Sequence, residues 1–391
     1  MKPHETSGAA DITRREFVSR SGKLAIAGLT AGTVAARLGV VQAFAQTAPS
    51  SAAVAGRRPQ RVAVVGIDHY HAISPPNYLQ ILANEKLDIL GIHAPDAALA
   101  AKYATQYKST PYTDYRVMID KTRPEFIIAL GKHSAMPEEF RYLVSTGIPF
   151  LMEKPWATDD KTVNELADLA EKKKAWAGVP TPFRYNWLTE VAIKMKNAGT
   201  LGRISHMHVR FNNAGIQRYI DLGNEWMLTK KDAGGGCLIN LAVHGVDQFR
   251  YITGEEPKVV SAVTSHAMFN REIEDWGTML MRTPAGTVLV NEAGYTAKGG
   301  DTEHLISTDK VLLRETRSGG AGVEVHGADG SNTVDREPAG YRSGWPGVVH
   351  DSLERIANGQ PPLATARDAA RATSAIIDAY RAAGEAIVKA R

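Results

Sequence analysis

From Arg61 onward, short apolar runs alternate with longer helical stretches at a spacing that only a few architectures accept. Arg61 to Gly66 reads as a buried strand ending at a turn, and Tyr78–Asn84 as a helix. Leu87–Ile92 is a second strand and Ala97–Tyr107 a second helix, with another short unit near Tyr112. Phe126–Leu130, Pro149–Met152 and Ala177–Val179 continue the strands, separated by helices at Pro137–Thr146 and Asp160–Lys174. Short, mostly apolar strands of three to six residues read as buried on both faces, which fits a parallel sheet with helices on either side. The expected fold class is α/β, beginning with a Rossmann-like doubly wound parallel sheet.

Past Pro182 the pattern changes. Tyr185–Ala198 and Cys237–Ile252 are helical. Ile204–Phe211, Val259–Met268, Thr278–Arg282 and Thr287–Tyr295 alternate polar and apolar residues as half-buried strands do. This predicts a C-terminal α+β domain with a mostly antiparallel open sheet. Residues 314–346 are rich in Gly, Arg and Ser and read as an exposed loop. The stretch 365–389 reads as one Ala-rich amphipathic closing helix. The expected domains are 61–181, dinucleotide-binding, and 182–391, for substrate and oligomerisation.

The first 45 residues read as a targeting segment. Thr13-Arg14-Arg15-Glu16-Phe17-Val18 is a twin-arginine pattern, Leu24–Ala36 is mildly apolar and uncharged, and Ala43-Phe44-Ala45 is a small-x-small cleavage site. The apolar run is too short to span a bilayer. Residues 46–60 read as a linker. The expected destination is the periplasm or the extracellular space, with the twin-arginine export machinery as a partner. That segment carries Lys2, Arg14, Arg15, Arg20, Lys23 and Arg37 against Glu5, Asp11 and Glu16. Most of the formal net charge of +4 therefore lies in it, which leaves no electrostatic case for nucleic acid. Cys237 is the single cysteine, so no internal disulfide can form, and small-residue packing is its expected role.

Two segments carry the chemistry. Glu153-Lys154-Pro155 closes the fourth strand, and Gly234-Gly235-Gly236 feeds a helix with polar residues at Asn240, His244 and Asp247. Offsets of four and three put those three side chains on one helical face, which suggests a site. The alternative is a buried polar stripe that satisfies its own hydrogen bonds. The first strand ends in Gly66-Ile67-Asp68-His69-Tyr70-His71, where a dinucleotide turn has glycines at its first, third and sixth positions. Only the first is present. Asp68 is suited to cap the following helix, and a protonated His69 or His71 to touch a phosphate; a weakened cofactor grip reads equally well from the same residues. Ala94 stands where an acidic ribose ligand is expected, so NAD and NADP are not distinguished. His69 with His71, and His206 with His208, are spaced for one face of a strand, but no third ligand adjoins, so no metal is expected.

In order and spacing, Met152-Glu153-Lys154-Pro155-Trp156-Ala157, the triple glycine, Asn240…His244…Asp247 and Arg184-x-Asn186-Trp187 resemble the Gfo/Idh/MocA oxidoreductases, over nearly the whole mature chain. The resemblance implies an NAD(P)-dependent oxidoreductase acting on CH–OH groups of a sugar, polyol or glycoside by hydride transfer. Lys154, His244 and Asn240 would carry catalysis, with Asp247 beside them at the substrate. Gly66, Ile67, Asp68, His69 and His71 would meet the NAD or NADP cofactor from the first turn. Glu153, Lys154, Pro155, Trp156 and Arg184 would meet it from the other side. Inositol dehydrogenase-like members carry aspartate where this chain has Asn240; an amide orients a group but cannot stabilise an imidazolium by charge. A homo-oligomer, dimer or tetramer, is expected by the same analogy. Two other readings stay open. One is redox-neutral, NAD-dependent glycoside cleavage; the other is a non-catalytic sugar-binding protein on the same fold.

Overall fold

The computed structural model describes residues 56–296, 300–315 and 322–387. The twin-arginine pattern, most of the linker and the last residues of the expected closing helix lie outside the described residues.

Six parallel strands form the first sheet: β1 (Arg61–Val65), β2 (Asp88–His93), β3 (Thr110–Tyr112), β4 (Phe126–Ala129), β5 (Phe150–Met152) and β6 (Ala177–Gly178). Their order is β3-β2-β1-β4-β5-β6, the doubly wound arrangement. Along β1, Val62 and Val64 enter one apolar layer while Ala63 and Val65 enter the other. The two-residue period explains why this strand has no polar face. The flanking helices start where the chain supplies caps. Asp96 accepts from the amides of Ala98 and Leu99, Asp114 from Arg116 and Val117, and Asp159 from Thr162.

The second sheet has eight strands: β7 (Ile204–Ala214), β8 (Lys258–Ser265), β9 (Trp276–Arg282), β10 (Val288–Thr296), β11 (Asp301–Thr308), β12 (Val311–Glu315), β13 (Gly322–Gly327) and β14 (Asn332–Arg336). The order is β14-β13-β12-β11-β7-β10-β9-β8, and every neighbouring pair is antiparallel except β7 with β10. Leu289, Asn291, Ala293 and Tyr295 alternate inward on β10 and are buried against the helix Val243–Thr253 and its lead-in. The fold is thus α/β, with a parallel six-stranded sheet followed by a mostly antiparallel eight-stranded one.

Residues 314–346 depart from the loop reading. They include the end of β12, the β13–β14 pair and the start of a helix at Gly344–Ala357. All of β14 is exposed, so it has no buried face to impose an apolar period, and its place comes from backbone pairing with β13. The helix Ala366–Ala382 starts at a capping box between Thr365 and Asp368. It packs on the helix Asp160–Lys173 and on Val243–Thr253, joining the first sheet's layer to the second.

Candidate active site

The sheet reverses its winding between β1 and β4, where a doubly wound fold opens its ligand crevice. Gly66 and Gly131 lie there with positive φ, and a Cβ on Gly66 would come within 2.3 Å of the Gly131 amide nitrogen. The first glycine is therefore required by the contact of two backbones. The amides of Gly66 and Ile67 both donate to the His93 carbonyl, at 3.1 and 3.0 Å. The next helix begins only at Tyr78, capped by Asn77, so Asp68 caps nothing; His69 caps a short 3-10 turn over Tyr70–Ala72. From the second sheet's side, Asn224 Nδ2 and Trp226 Nε1 donate to the Asp68 carbonyl at 2.6 and 3.3 Å. The amides of Gly66, Ile67, His69 and His71 are thus taken up within the protein, and the turn lacks the helix N-terminus that cradles a pyrophosphate. Burial holds His69 and His71 well below the usual imidazole range, which leaves both neutral and unsuited to pairing with a phosphate by charge.

Deeper in the crevice the polar groups are incomplete. His69 Nε2, His133 Nε2 and Glu153 Oε2 are buried without a hydrogen-bond partner. His133 follows β4, and its Nδ1 bonds the Ala233 carbonyl at 2.8 Å. Its ring lies edge-on to Trp226, with the His69 ring 6.2 Å away. Orphaned donors and acceptors at a strand-end crevice fit the polar inner portion of a dinucleotide, and this inner set carries the fit in place of the first turn.

The loop after β5 delivers Lys154. The Glu153 amide bonds the Ala129 carbonyl, Lys154–Pro155 is a cis peptide, and the Pro155 carbonyl accepts from Thr373. Trp156 donates to the Met152 carbonyl and packs on Phe140, inside the first sheet's apolar layer. Ile67 likewise lies in an apolar layer. Lys154 Nζ donates to Asn240 Oδ1 at 2.6 Å and to the Asn240 carbonyl at 2.8 Å. Burial lowers its pKa to about 8; Glu153 opposes that shift and the Arg218 charge adds to it.

The glycine run is shaped by crowding. A Cβ on Gly235 would meet the Tyr380 hydroxyl at 2.1 Å, and one on Gly236 the Glu274 carbonyl at 2.0 Å. The Glu274 carboxylate accepts from the amides of Gly236 and Leu238 and from Tyr380, which seats the start of the helix. Leu238–Ala242 is a π turn, a form often found at functional sites, and α-helix resumes over Val243–Thr253. Asn240 Nδ2 donates to the hydroxyls of Tyr219 and Tyr295, at 2.9 and 3.1 Å. The His244 ring lies among Phe183, Phe211 and Trp345 and makes no hydrogen bond among the described residues. Burial, then the Lys154 charge, holds it well below the usual range, so it is neutral and able to accept a proton.

A cavity of about 10 Å³, room for about one water, is lined by Lys154, His244, Asp247, Thr181 and Asp368 among others. Asp247 borders it but is bound to Arg184, which donates to its two oxygens at 2.6 and 2.8 Å. Arg184 also donates to the Leu363 carbonyl and lies 3.4 Å from Asp368. Its donors are committed within the protein. Cys237 donates to the Ala293 carbonyl, and burial raises its thiol well above the usual range, in keeping with packing. His208 pairs with Glu292, and no cluster of three metal-ligating side chains occurs among the described residues. Tyr78, His133, Arg218 and Tyr219 were not apparent from the sequence; only His133 had a usable signal, its place just past a parallel strand's C-terminal end.

Residues 60–180 match the oxidoreductase family with NAD-binding Rossmann fold, and residues 190–332 match the GFO/IDH/MocA C-terminal domain. The chain belongs to the Gfo/Idh/MocA family. Its first sheet is the NAD-binding Rossmann domain of that oxidoreductase family. Two curated relatives are 1,5-anhydro-D-fructose reductase of Ensifer adhaerens and levoglucosan dehydrogenase of Pseudarthrobacter phenanthrenivorans. The first is 26% identical over 120 residues, 29% of this chain and 30% of the relative. The second is 25% identical over 249 residues, 61% of this chain and 63% of the relative. The matched part thus spans less than two thirds of either relative. Aldose-aldose oxidoreductase from Caulobacter crescentus shares the fold at TM-score 0.70 and 21% identity, over 85% of this chain and all of that one.

Proposed function

We propose that this Gfo/Idh/MocA protein oxidises a CH–OH group of a sugar, polyol or glycoside by hydride transfer to NAD or NADP. The observation that carries the reading is the buried junction of Lys154 from the first domain with Asn240 and His244 from the second. A bound nicotinamide supplies the hydride acceptor. His69, His133 and Glu153, with their unpartnered atoms, are the residues best suited to hold its polar inner portion. Lys154 holds the substrate oxygen and favours its loss of a proton, because an ammonium stabilises a developing alkoxide. His244, neutral and unbonded, receives that proton. Asn240 fixes the amine and, as an amide, leaves its charge uncompensated. The carbohydrate relatives support the substrate class.

The same reading includes export by the twin-arginine route to the periplasm or beyond, assembly as a homo-oligomer, and a cofactor retained and recycled in place. The committed amides of the Gly66 turn favour one alternative, a sugar-binding protein that has lost its nucleotide. Mass spectrometry of small molecules released from freshly purified, undialysed protein separates the two. Hydride transfer requires a bound nicotinamide nucleotide, or reduction of added NAD or NADP with some member of a sugar panel. Sugar affinity with neither result rejects it.

A further inference from the structure

His71 stands where a dinucleotide turn has its third glycine, and the structure gives that imidazole a defined setting. Its Nδ1 lies 2.9 Å from Glu153 Oε1, and the Tyr78 hydroxyl donates to the same oxygen at 3.0 Å. Among the described residues nothing bonds the other ring nitrogen, Nε2. A polar network that served only the fold would be completed, because an unmade hydrogen bond in the interior is costly. Here Oε2 of Glu153 is buried and left over. The ring is edge-on to Trp345 at 5.6 Å, and His244 meets the same indole at 6.1 Å. Two imidazoles thus border one indole beside Lys154, one oriented by a carboxylate and the other free.

A carboxylate that holds one imidazole nitrogen and leaves the second open is the arrangement of an oriented general base. We propose that His71, oriented by Glu153 and Tyr78, is a second proton-transfer residue, and that this site enolises a keto-sugar in addition to forming one. In this step the bond between hydrogen and the carbon next to the carbonyl breaks. The proton passes to His71 Nε2, and the electron pair forms an enolate whose oxygen faces the Lys154 ammonium. Return of the proton to the same carbon restores the ketone, so the step is redox-neutral and needs no co-reactant. Burial and the Lys154 charge keep His71 neutral, as a base must be. The substrate class rests on the reading given under Proposed function, since a keto-sugar is the product of that oxidation.

The test uses the purified full-length protein and hexosides bearing a ketone at C2, C3 or C4, in deuterium oxide, with proton NMR following the carbons beside the carbonyl. Wild type is expected to exchange at least one of these positions faster than buffer. His71→Gln should slow that exchange about 100-fold, and Tyr78→Phe, which deletes only one bond to Glu153, about 10-fold. If His71→Gln fails to fold, Tyr78→Phe and Glu153→Gln decide. No exchange by wild type, or equal exchange by correctly folded variants, overturns the proposal. Exchange without any nicotinamide reduction would reject the hydride-transfer reading and leave this one standing; the reverse pattern would do the opposite.

Discussion

Lys154 and Asn240 are joined twice, through the amide oxygen at 2.6 Å and the backbone carbonyl at 2.8 Å. This link ties the loop after β5 to the π turn at the head of the second domain's helix. Both acceptors are neutral, so the ammonium is positioned without being neutralised, and burial lowers its pKa to about 8.

Asn240→Asp would place an anion at that amine. Opposite charges favour the charged form, so the Lys154 pKa should rise by about 1 unit or more. The corresponding limb of the pH profile of kcat/KM should move to higher pH by the same amount, and an unmoved limb would remove Lys154 from the rate-determining ionisation.

Lys154→Met and His244→Gln should each lower kcat by about 100- to 10,000-fold, the range for loss of a positioned proton-transfer or charge-stabilising group. Steady-state rates on whichever sugar reduces the nicotinamide check this. Combining the two should cost less than the product of the single losses if they serve one step.

Arg184 and Asp247 form a buried, two-pronged pair. Arg184→Met leaves a carboxylate uncompensated and should destabilise the fold by about 3–5 kcal/mol. Replacing both residues with apolar ones of similar size should restore much of that. Urea unfolding of the single and double variants beside wild type measures it; equal losses for the single and double changes would refute the pairing argument.

Glu139 is buried beside Gly131, and burial together with the Asp68 charge raises its pKa from 4.5 to about 8. Between those two values the folded protein holds a proton that the unfolded chain has released. Its contribution to stability is therefore full below about 4.5 and is lost as pH rises towards 8. Glu139→Gln mimics the protonated form, so its stability relative to wild type should increase across that window. Thermal melts at intervals of pH test the sign.

Much of the architecture was legible because short-range rules governed it. The β1 run Val62-Ala63-Val64-Val65 has no polar face, and Asp96, Asp114 and Asp159 stand where helices begin. The triple glycine was visible, though the reason for it, the Tyr380 hydroxyl and the Glu274 backbone, was not. The β13–β14 pair was missed because exposed edge strands owe their place to a neighbour's hydrogen bonds and not to their own apolar period. The π turn was also invisible, and it alters the simple three-and-four spacing on which the Asn240, His244 and Asp247 face was drawn. Asp247 turned out to serve Arg184, and Trp156 the apolar layer.

By itself the sequence determined the layered α/β plan, the family and the two segments bearing Lys154 and His244, because periodicity and local motifs are properties of neighbouring residues. Only the tertiary structure decided which polar atoms are satisfied. It placed Lys154 on Asn240, set Glu153 on His71 and left His69 and His133 open, since those pairings join residues far apart in the chain through a buried interior where each unmet hydrogen bond carries a large cost.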